Sequence, residues 1–193
     1  MICLSVQNKS QLSEMSGKWI ELVELRLDLL KEPPARLIKA IDKNIKIIAT
    51  CRPGNLPEGE RINILKDSIK AGVNFIDVEI ETDPDAIADL KKLSIQNGCK
   101  LILSWHDFKE TPGKADLVSR MESCYRRGAD IAKIACMVKG REDILNLMSL
   151  YALPGRKVVL GMGRMAGITR VAAPFLGAEF TYATTSRAEE TAP

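Results

Sequence analysis

The chain has 193 residues, of which 46% are hydrophobic and 27% charged, and it carries a net charge of +3. This composition is typical of a soluble globular protein, and the length fits one domain covering residues 1–193. The small net charge argues against nucleic acid or a membrane surface as a partner. No apolar run approaches the roughly 18 residues that a membrane span needs.

The five cysteines are scattered along the chain and form no C-x-x-C pair. Such spacing is typical of small buried thiols in a reducing compartment, not of a disulfide framework or a zinc site. The first six residues enter an apolar run at once, without the basic segment and cleavage site of a secretion signal. The sequence therefore predicts a cytoplasmic location.

Strand-like and helix-like segments alternate along the chain. Apolar and β-branched runs predict strands at 2–6, 21–25, 45–51, 74–80, 100–104, 129–136, 157–162 and 179–183. Helical spacing of apolar residues, together with capping residues, predicts helices at 10–18, 33–42, 60–71, 83–98, 114–127, 142–151 and 164–176.

Eight strands that alternate with helices predict βαβ units and a parallel sheet. The favoured fold class is therefore α/β, a (β/α)8 TIM barrel, and a doubly wound open sheet is the alternative. Only residues 184–193 follow the last predicted strand. The sequence thus predicts a barrel that lacks the last helix.

Polar residues recur near the carboxyl ends of predicted strands two to six. Side chains alternate between the two faces of a strand, and by this alternation these residues all face the barrel interior. A purely structural barrel fills its interior with Val, Ile and Leu. Polar residues on five consecutive strands therefore predict a catalytic site at the C-terminal end of the barrel. They are Glu24, Arg26, Thr50, Arg52, Asp77, Glu79, Ser104, His106 and Lys133.

Lys133 lies in the middle of the apolar segment 129–136. Lysine is rarely buried without a partner, and burial disfavours the charged form of a lysine and makes its amine a usable nucleophile. The structural alternative is a lysine at a strand end that extends to water. His106 is the only histidine in the chain, and it is either a satisfied structural residue or a proton carrier near neutral pH.

The residue types indicate a class of chemistry. A buried lysine among cationic neighbours can form an imine with a ketone or aldehyde, and several arginines suit a carboxylate or phosphate substrate. These features predict imine chemistry on a small anionic carbonyl compound. A class I aldolase or transaldolase-like barrel has the same features and is an alternative. Such an enzyme binds a sugar phosphate through a glycine-rich loop, and residues 161–163 (GMG) are the only trace of such a loop in this sequence. A non-catalytic ligand-binding barrel is a further alternative.

Five motifs, in order and each at its own strand end, resemble those of the type I 3-dehydroquinate dehydratase family. Residues 24–28 (ELRLD) resemble its E-x-R-x-D signature, and Arg52 resembles its substrate-binding arginine. Residues 104–108 (SWHDF) resemble the S-x-H-x-F motif around its catalytic histidine. The segment AKIA around Lys133 resembles its Schiff-base segment, and 161–170 resembles M-G-x-x-G-x-x-S-R with threonine for serine.

The resemblance implies dehydration of 3-dehydroquinate to 3-dehydroshikimate, a step of the shikimate pathway, without a metal or an organic cofactor. It implies that Lys133 forms the imine and that His106 is the general acid and base of a syn elimination. The substrate-binding residues that it implies are Ser5, Glu24, Arg26, Arg52, Arg170 and Thr191.

The resemblance implies three further features. A loop glutamate after the strand-three arginine polarises the family's histidine, and Glu58 is the best candidate here. Residues 191–193 (TAP) resemble the start of the family's closing loop S-A-P-G-Q, whose glutamine has no counterpart in this sequence. A barrel without its eighth helix exposes an apolar groove that needs a cover, and relatives often pair, so we expect a homodimer.

Overall fold

The computed structural model describes residues 1–13 and 19–185. Its strands are Ile2–Val6 (β1), Leu22–Arg26 (β2), Lys46–Thr50 (β3), Phe75–Glu79 (β4), Lys100–Asp107 (β5), Ile131–Met137 (β6), Lys157–Met162 (β7) and Thr181–Ala183 (β8). Its α-helices are Lys9–Ser13 (α1), Leu27–Leu30 (α2), Pro34–Lys39 (α3), Glu58–Lys70 (α4), Pro84–Gln96 (α5), Lys114–Arg126 (α6), Arg141–Ser149 (α7) and Gly167–Ala172 (α8). Short 3-10 helices follow α7 and α8, at Leu150–Ala152 and Ala173–Leu176.

The eight strands form one parallel sheet that curls back on itself. Its order is β7-β6-β5-β4-β3-β2-β1-β8, so each of the first seven strands pairs with its neighbours in the chain and the last strand pairs with the first. A backbone hydrogen bond of 3.0 Å from Glu179 to Lys157 also joins the approach to β8 with β7. This nearly closed barrel confirms the (β/α)8 prediction. A doubly wound sheet is excluded because the strand order never reverses.

The sheet separates two apolar cores. Outward-facing residues of the strands pack against the helices in the larger core. The smaller core fills the barrel interior and consists of Cys3, Leu22, Ile48, Phe75, Ile102, Ile131, Val158, Leu160, Phe180 and Tyr182. Because side chains alternate along a strand, β1 to β7 contribute to both cores, and the inward residues further along these strands are free to form a site.

Several element boundaries differ from the predictions. The short helix α2 directly follows β2 and was not predicted. The fifth strand, predicted at 100–104 and running on toward 108, ends at Asp107 and includes His106, as its predicted inward position requires. The helix predicted at 164–176, with a late interruption at Pro174, begins only at Gly167 and gives way at Ala173 to a 3-10 helix that contains Pro174, because proline lacks the N–H that an α-helix needs.

Two predicted features extend beyond the described residues. Helix α1 confirms the start of the helix predicted at 10–18, whereas residues 14–18 lie outside the described part of the chain. The segment 186–193, which includes the predicted closing loop, lies outside it as well. Within residues 1–13 and 19–185, no helix has the length and apolar character that a membrane crossing requires.

Candidate active site

The C-terminal half of the barrel interior is polar, as the alternation of the strands predicts. On β5, Ile102 belongs to the interior apolar core, and Ser104 and His106 follow it on the same face. Lys133 on β6 is the register partner of Ser104, so His106 lies one step closer to the C-terminal end. All nine residues predicted to face inward are buried or half-buried.

Lys133 is fully buried within this polar layer. Its Nζ lies 2.7 Å from Asp77 Oδ2, 3.1 Å from the Tyr182 hydroxyl oxygen and 3.8 Å from Glu24 Oε1. The ammonium group is therefore enclosed by partners and does not extend to water, so the structural alternative for this lysine is wrong. Burial raises the pKa of Asp77, but the nearby charges of Lys133 and Arg52 outweigh it and hold that pKa below its usual value.

Glu24 forms the opposite wall of this cluster. Its Oε2 accepts a hydrogen bond of 2.7 Å from Ser5, and its Oε1 accepts bonds from Thr50 at 2.9 Å and from Tyr182 at 3.3 Å. A buried carboxylate requires such donors to offset its lost hydration. Ser5 lies in the site as expected, and its direct partner there is Glu24.

His106, Glu79 and Arg52 form a closed triangle of hydrogen bonds. The Glu79 carboxylate contacts His106 Nδ1 at 2.9 Å and Arg52 Nη1 at 3.1 Å, and Arg52 Nη2 lies 3.0 Å from His106 Nε2. A guanidinium can only donate, so Nε2 accepts and carries no proton. The tautomer inferred from these partners is protonated at Nδ1, and this nitrogen donates to Glu79.

The charges of this triangle follow from burial. Burial lowers the pKa of His106 well below its usual value, and the adjacent charges of Arg52 and Lys133 lower it further. Burial also raises the pKa of Glu79 to about 7, against the opposing effect of Arg52. The histidine is therefore neutral near pH 7, and its unprotonated Nε2 faces the Arg52 guanidinium.

Glu58, which was predicted to polarise the histidine, is paired with Arg61 in this structure. Glu58 is the first residue of α4 and pairs with Arg61 one turn later, with Oε2 accepting a hydrogen bond of 2.8 Å. Arg61 is buried and also donates to Thr82 and to the carbonyl of Cys51. Glu79, two residues after Asp77 on the inward face of β4, holds the histidine instead.

The remaining predicted binding residues have different surroundings. Arg26 is buried and forms two hydrogen bonds with Asp28, at 3.0 and 2.8 Å, within the ELRLD motif. Arg170 on α8 donates to the carbonyl of Gly161 at 2.6 Å. In the described residues, no hydrogen bond or ion pair joins Arg170 to the polar residues around Lys133. Thr191 lies outside the described part of the chain.

A cavity of about 580 Å³ opens over the triangle, with walls that include Arg52, Glu79, His106 and Phe108. Arg52 Nε is buried and has no hydrogen-bond partner among residues 1–13 and 19–185, so it can donate to a bound molecule. Lys133 lies one layer deeper and does not line the cavity. Among the described residues, no group of three or more His, Cys, Asp or Glu side chains is arranged to hold a metal ion.

Comparisons with known proteins identify the family to which a chain with this site belongs. The sequence model of the type I 3-dehydroquinase family matches residues 2–193. The chain belongs to the type I 3-dehydroquinase family. A 3-dehydroquinate dehydratase of Methanocaldococcus jannaschii is 32% identical over 194 residues, which cover 95% of this chain and 88% of the relative. Such enzymes are hydro-lyases, and family membership favours this class over the aldolase and ligand-binding alternatives.

Solved structures of the type I 3-dehydroquinase family have the same fold. A 3-dehydroquinate dehydratase of Geobacillus kaustophilus has a TM-score of 0.86 and 26% identity, covering 97% of this chain and 83% of its own. A type I 3-dehydroquinate dehydratase of Clostridium difficile has a TM-score of 0.87 at 24% identity, covering 100% of this chain and 85% of its own.

Sequence reasoning within this dehydroquinase chain missed the roles of two residues. Glu79 was predicted to face inward, but its proximity to His106 depends on the register between β4 and β5. Tyr182 was placed on the last strand without a role. Its alternation with Phe180 and its hydroxyl could have marked it, because an inward tyrosine needs a polar partner when it is buried.

Proposed function

We propose that the chain dehydrates 3-dehydroquinate to 3-dehydroshikimate, in the shikimate pathway, through an imine at Lys133. The observation that carries this proposal is a fully buried lysine beside a neutral histidine on the adjacent strand. Both lie at the C-terminal end of the barrel, where barrel enzymes keep their active sites. The names of the curated relatives support the substrate.

In the proposed reaction, the Lys133 ammonium releases a proton as its Nζ attacks the ring ketone, and the ketone oxygen becomes a hydroxyl. Nitrogen then releases a second proton, the oxygen leaves as water, and the C=N bond of an iminium forms. The iminium draws electrons from the neighbouring carbon, so the proton on that carbon becomes acidic. His106 Nε2 removes this proton, and the electron pair forms a C=C bond conjugated with nitrogen. The protonated histidine then returns its proton to the hydroxyl group that departs as water, and hydrolysis of the imine frees Lys133.

Glu79 supports the histidine in this scheme. After His106 Nε2 takes the proton, the ring is positive and its Nδ1–H still faces the Glu79 carboxylate at 2.9 Å. A carboxylate in this position holds the tautomer and stabilises the imidazolium. Arg52 donates to the same Nε2 in the free site, so substrate must draw Arg52 away before the histidine can act as a base.

The proposed substrate contacts come from both sides of the site. Arg170 would hold the substrate carboxylate, since burial lowers its pKa but its guanidinium stays charged at neutral pH. Ser5, Glu24, Arg26, Arg52 and Thr191 would bind ring hydroxyls or order the site. The unpartnered Nε of Arg52 beside the cavity supports this role.

Borohydride reduction in the presence of 3-dehydroquinate tests the imine directly. Reduction converts the C=N bond to a stable C–N bond, and peptide mapping by mass spectrometry should place the adduct on Lys133. Lys157 is the matched control, because it is also a buried lysine but its Nζ donates to the carbonyls of Leu153 and Gly155. Lys133→Met should lose the adduct and lower turnover by roughly 10⁴-fold or more.

Three results would contradict the imine mechanism. They are an adduct on Lys157 in place of Lys133, no adduct at all during active turnover, and a Lys133→Met variant that keeps its turnover. An adduct on Lys133 with a sugar phosphate but not with 3-dehydroquinate would instead favour the aldolase alternative.

We also propose a homodimer that forms through the exposed apolar surface of α8 and the 3-10 helix after it. Ile168 and Val171 on this surface are more than half exposed, and Phe175 is 88% exposed. Solvent-exposed apolar clusters of this kind mark interaction sites, and a twofold axis pairs one surface with its own copy. Light scattering should give twice the chain mass, and Phe175→Asp should give a monomer. A monomer before substitution would contradict the dimer.

The proposed location is the cytoplasm. All five cysteines are buried and free, which is typical of proteins in a reducing compartment.

A further inference from the structure

Tyr182 is placed against the reacting nitrogen of the proposed mechanism. It lies on β8, separated by β7 from Lys133 on β6, and its side chain crosses the barrel interior. Its hydroxyl oxygen is 3.1 Å from Lys133 Nζ and 3.3 Å from Glu24 Oε1. The ring is fixed by an edge contact with Phe180, at 5.5 Å between centroids.

The direction of these hydrogen bonds is determined by the partners. An ionised carboxylate only accepts and an ammonium only donates. The Tyr182 hydroxyl therefore donates to Glu24 and accepts from Lys133, so it performs both roles at once. Asp77, the nearest partner of Nζ at 2.7 Å, is a carboxylate and in its ionised form can only accept.

Imine formation needs a group that can both accept a proton from the lysine nitrogen and donate a proton to the substrate oxygen. Two protons must leave the lysine nitrogen, and the departing ketone oxygen must gain two protons to leave as water. Nitrogen and oxygen are bonded to the same carbon in the intermediate, so they lie about two bond lengths apart. A hydroxyl within hydrogen-bond distance of the nitrogen can thus reach the oxygen as well.

We propose that Tyr182 is a catalytic residue that shuttles protons from Lys133 to the substrate oxygen during imine formation. The inference rests on the proposed imine function. In each transfer the phenol oxygen accepts a proton from nitrogen while its own proton passes to the substrate oxygen. The first transfer accompanies formation of the C–N bond, and the second accompanies cleavage of the C–O bond and release of water. The phenol is regenerated each time, and no other reactant is consumed.

The surroundings of Tyr182 favour such paired transfer over ionisation. Burial raises the pKa of Tyr182 well above its usual value, and the adjacent Glu24 charge raises it further. The phenol therefore keeps a proton throughout, and a phenolate is not formed as a separate species. Hydrolysis of the product imine is the reverse of the same steps and uses the same hydroxyl.

Oxygen exchange isolates this step from the elimination. In a His106→Ala background, imine formation and hydrolysis should still exchange the ketone oxygen of 3-dehydroquinate with ¹⁸O-labelled water, which mass spectrometry measures. Adding Tyr182→Phe keeps the ring, removes the hydroxyl and leaves Glu24 with Ser5 and Thr50 as donors. We expect oxygen exchange to fall about 10²-fold, the lower end of the usual acid–base contribution.

Two controls separate a proton shuttle from a structural role. Thr50→Val removes another hydroxyl from Glu24 but none from Nζ, so its loss of exchange should be about threefold at most. Tyr125→Phe removes a tyrosine hydroxyl that donates to the carbonyl of Arg156 outside the site, and exchange should not change. The thermal midpoint of each variant is measured in parallel.

If the rate of oxygen exchange with Tyr182→Phe stays within about twofold of the rate in the His106→Ala parent, Tyr182 is not the proton shuttle. The imine mechanism would remain intact. Equal losses of oxygen exchange in Tyr182→Phe and Thr50→Val would also overturn the shuttle, since the loss of a hydrogen bond to Glu24 would then explain both results. A parent that neither exchanges oxygen nor yields a Lys133 adduct would overturn the proposed function, and the shuttle together with it.

Discussion

The two halves of the barrel interior are built from the same strands but have opposite character. On β5, Ile102 lies in an apolar layer, and four residues later His106 lies among charged side chains. On β6, Ile131 and Lys133 show the same change within two residues. The apolar half gains stability from burial, whereas the polar half brings together the ionisable groups around Lys133 and those of the His106 triangle, at a cost in hydration. The apolar half of the barrel interior thus stabilises the fold, and the polar half at the C-terminal end holds the candidate active site.

Among substitutions that distinguish the polar half from the apolar half, His106→Ala should have the largest effect, which is a loss of turnover. General acid–base groups contribute roughly 10²–10⁴-fold to rates, so turnover should fall by that factor while the borohydride adduct on Lys133 still forms. Steady-state kinetics and mass spectrometry measure the two quantities on the same samples. Loss of the adduct along with turnover would show that the histidine is needed before elimination.

Ile102→Ala tests the apolar half on the same strand. Truncation of a fully buried isoleucine leaves a cavity and typically costs about 2–5 kcal/mol of unfolding free energy. Chemical denaturation should show this loss, while kcat/KM of the folded enzyme should stay within about threefold, since the polar layer keeps its hydrogen bonds. A large fall in kcat/KM at full folding would show that the two halves are coupled.

Glu79→Gln should change the pH dependence of the reaction. Burial raises the pKa of Glu79 to about 7, so its carboxylate is lost as the pH falls through 7 and the support of the imidazolium is lost with it. The rate should therefore decline below pH 7 in the unsubstituted enzyme. In the glutamine variant the rate at pH 8 should be about 10–10²-fold lower, and this decline should disappear.

Glu58→Gln is the matched comparison for Glu79, because the pKa of Glu58 is lowered by its hydrogen bond to Arg61. It should keep the decline below pH 7. If the decline instead disappears with Glu58→Gln and persists with Glu79→Gln, the loop glutamate is the partner of the histidine during turnover.

The smallest effect is expected from Ser5→Ala. Its hydroxyl donates to the buried Glu24 at 2.7 Å, and hydrogen bonds to charged groups are worth about 1.5–3 kcal/mol. Thr50 and Tyr182 still donate to Glu24, so the loss of unfolding free energy should be about 1.5 kcal/mol in urea denaturation. Ser149→Ala removes a hydroxyl bonded to a neutral carbonyl on a helix and should cost about 0.5 kcal/mol or less. Equal losses would argue against a special role of Ser5.

The fold and the inward residues were predictable because strand alternation is a local property. Ile102, Ser104 and His106 share a face whatever lies beside β5. The resemblance to the family motifs then selected the inward residues that we propose to carry the chemistry. The partner of His106 was not predictable in this way, because it depends on the relative register of β4 and β5 and on a competing partner, Arg61, that holds Glu58 one helical turn away. The contact between Tyr182 and Lys133 spans 49 residues and two strand positions, which no local pattern encodes.

The seam between β7 and β8 gives the barrel a place to open. Among the described residues, every other neighbouring pair of strands forms a hydrogen-bonded ladder, whereas this pair is joined through the segment before β8, by the Glu179–Lys157 backbone bond and the Arg156–Glu179 ion pair. Native-state hydrogen exchange should accordingly find the lowest opening free energy at β8. Tyr182 lies on that strand, so each such opening would move its hydroxyl away from Lys133 Nζ, and the proposed proton shuttle would operate only while the barrel is closed.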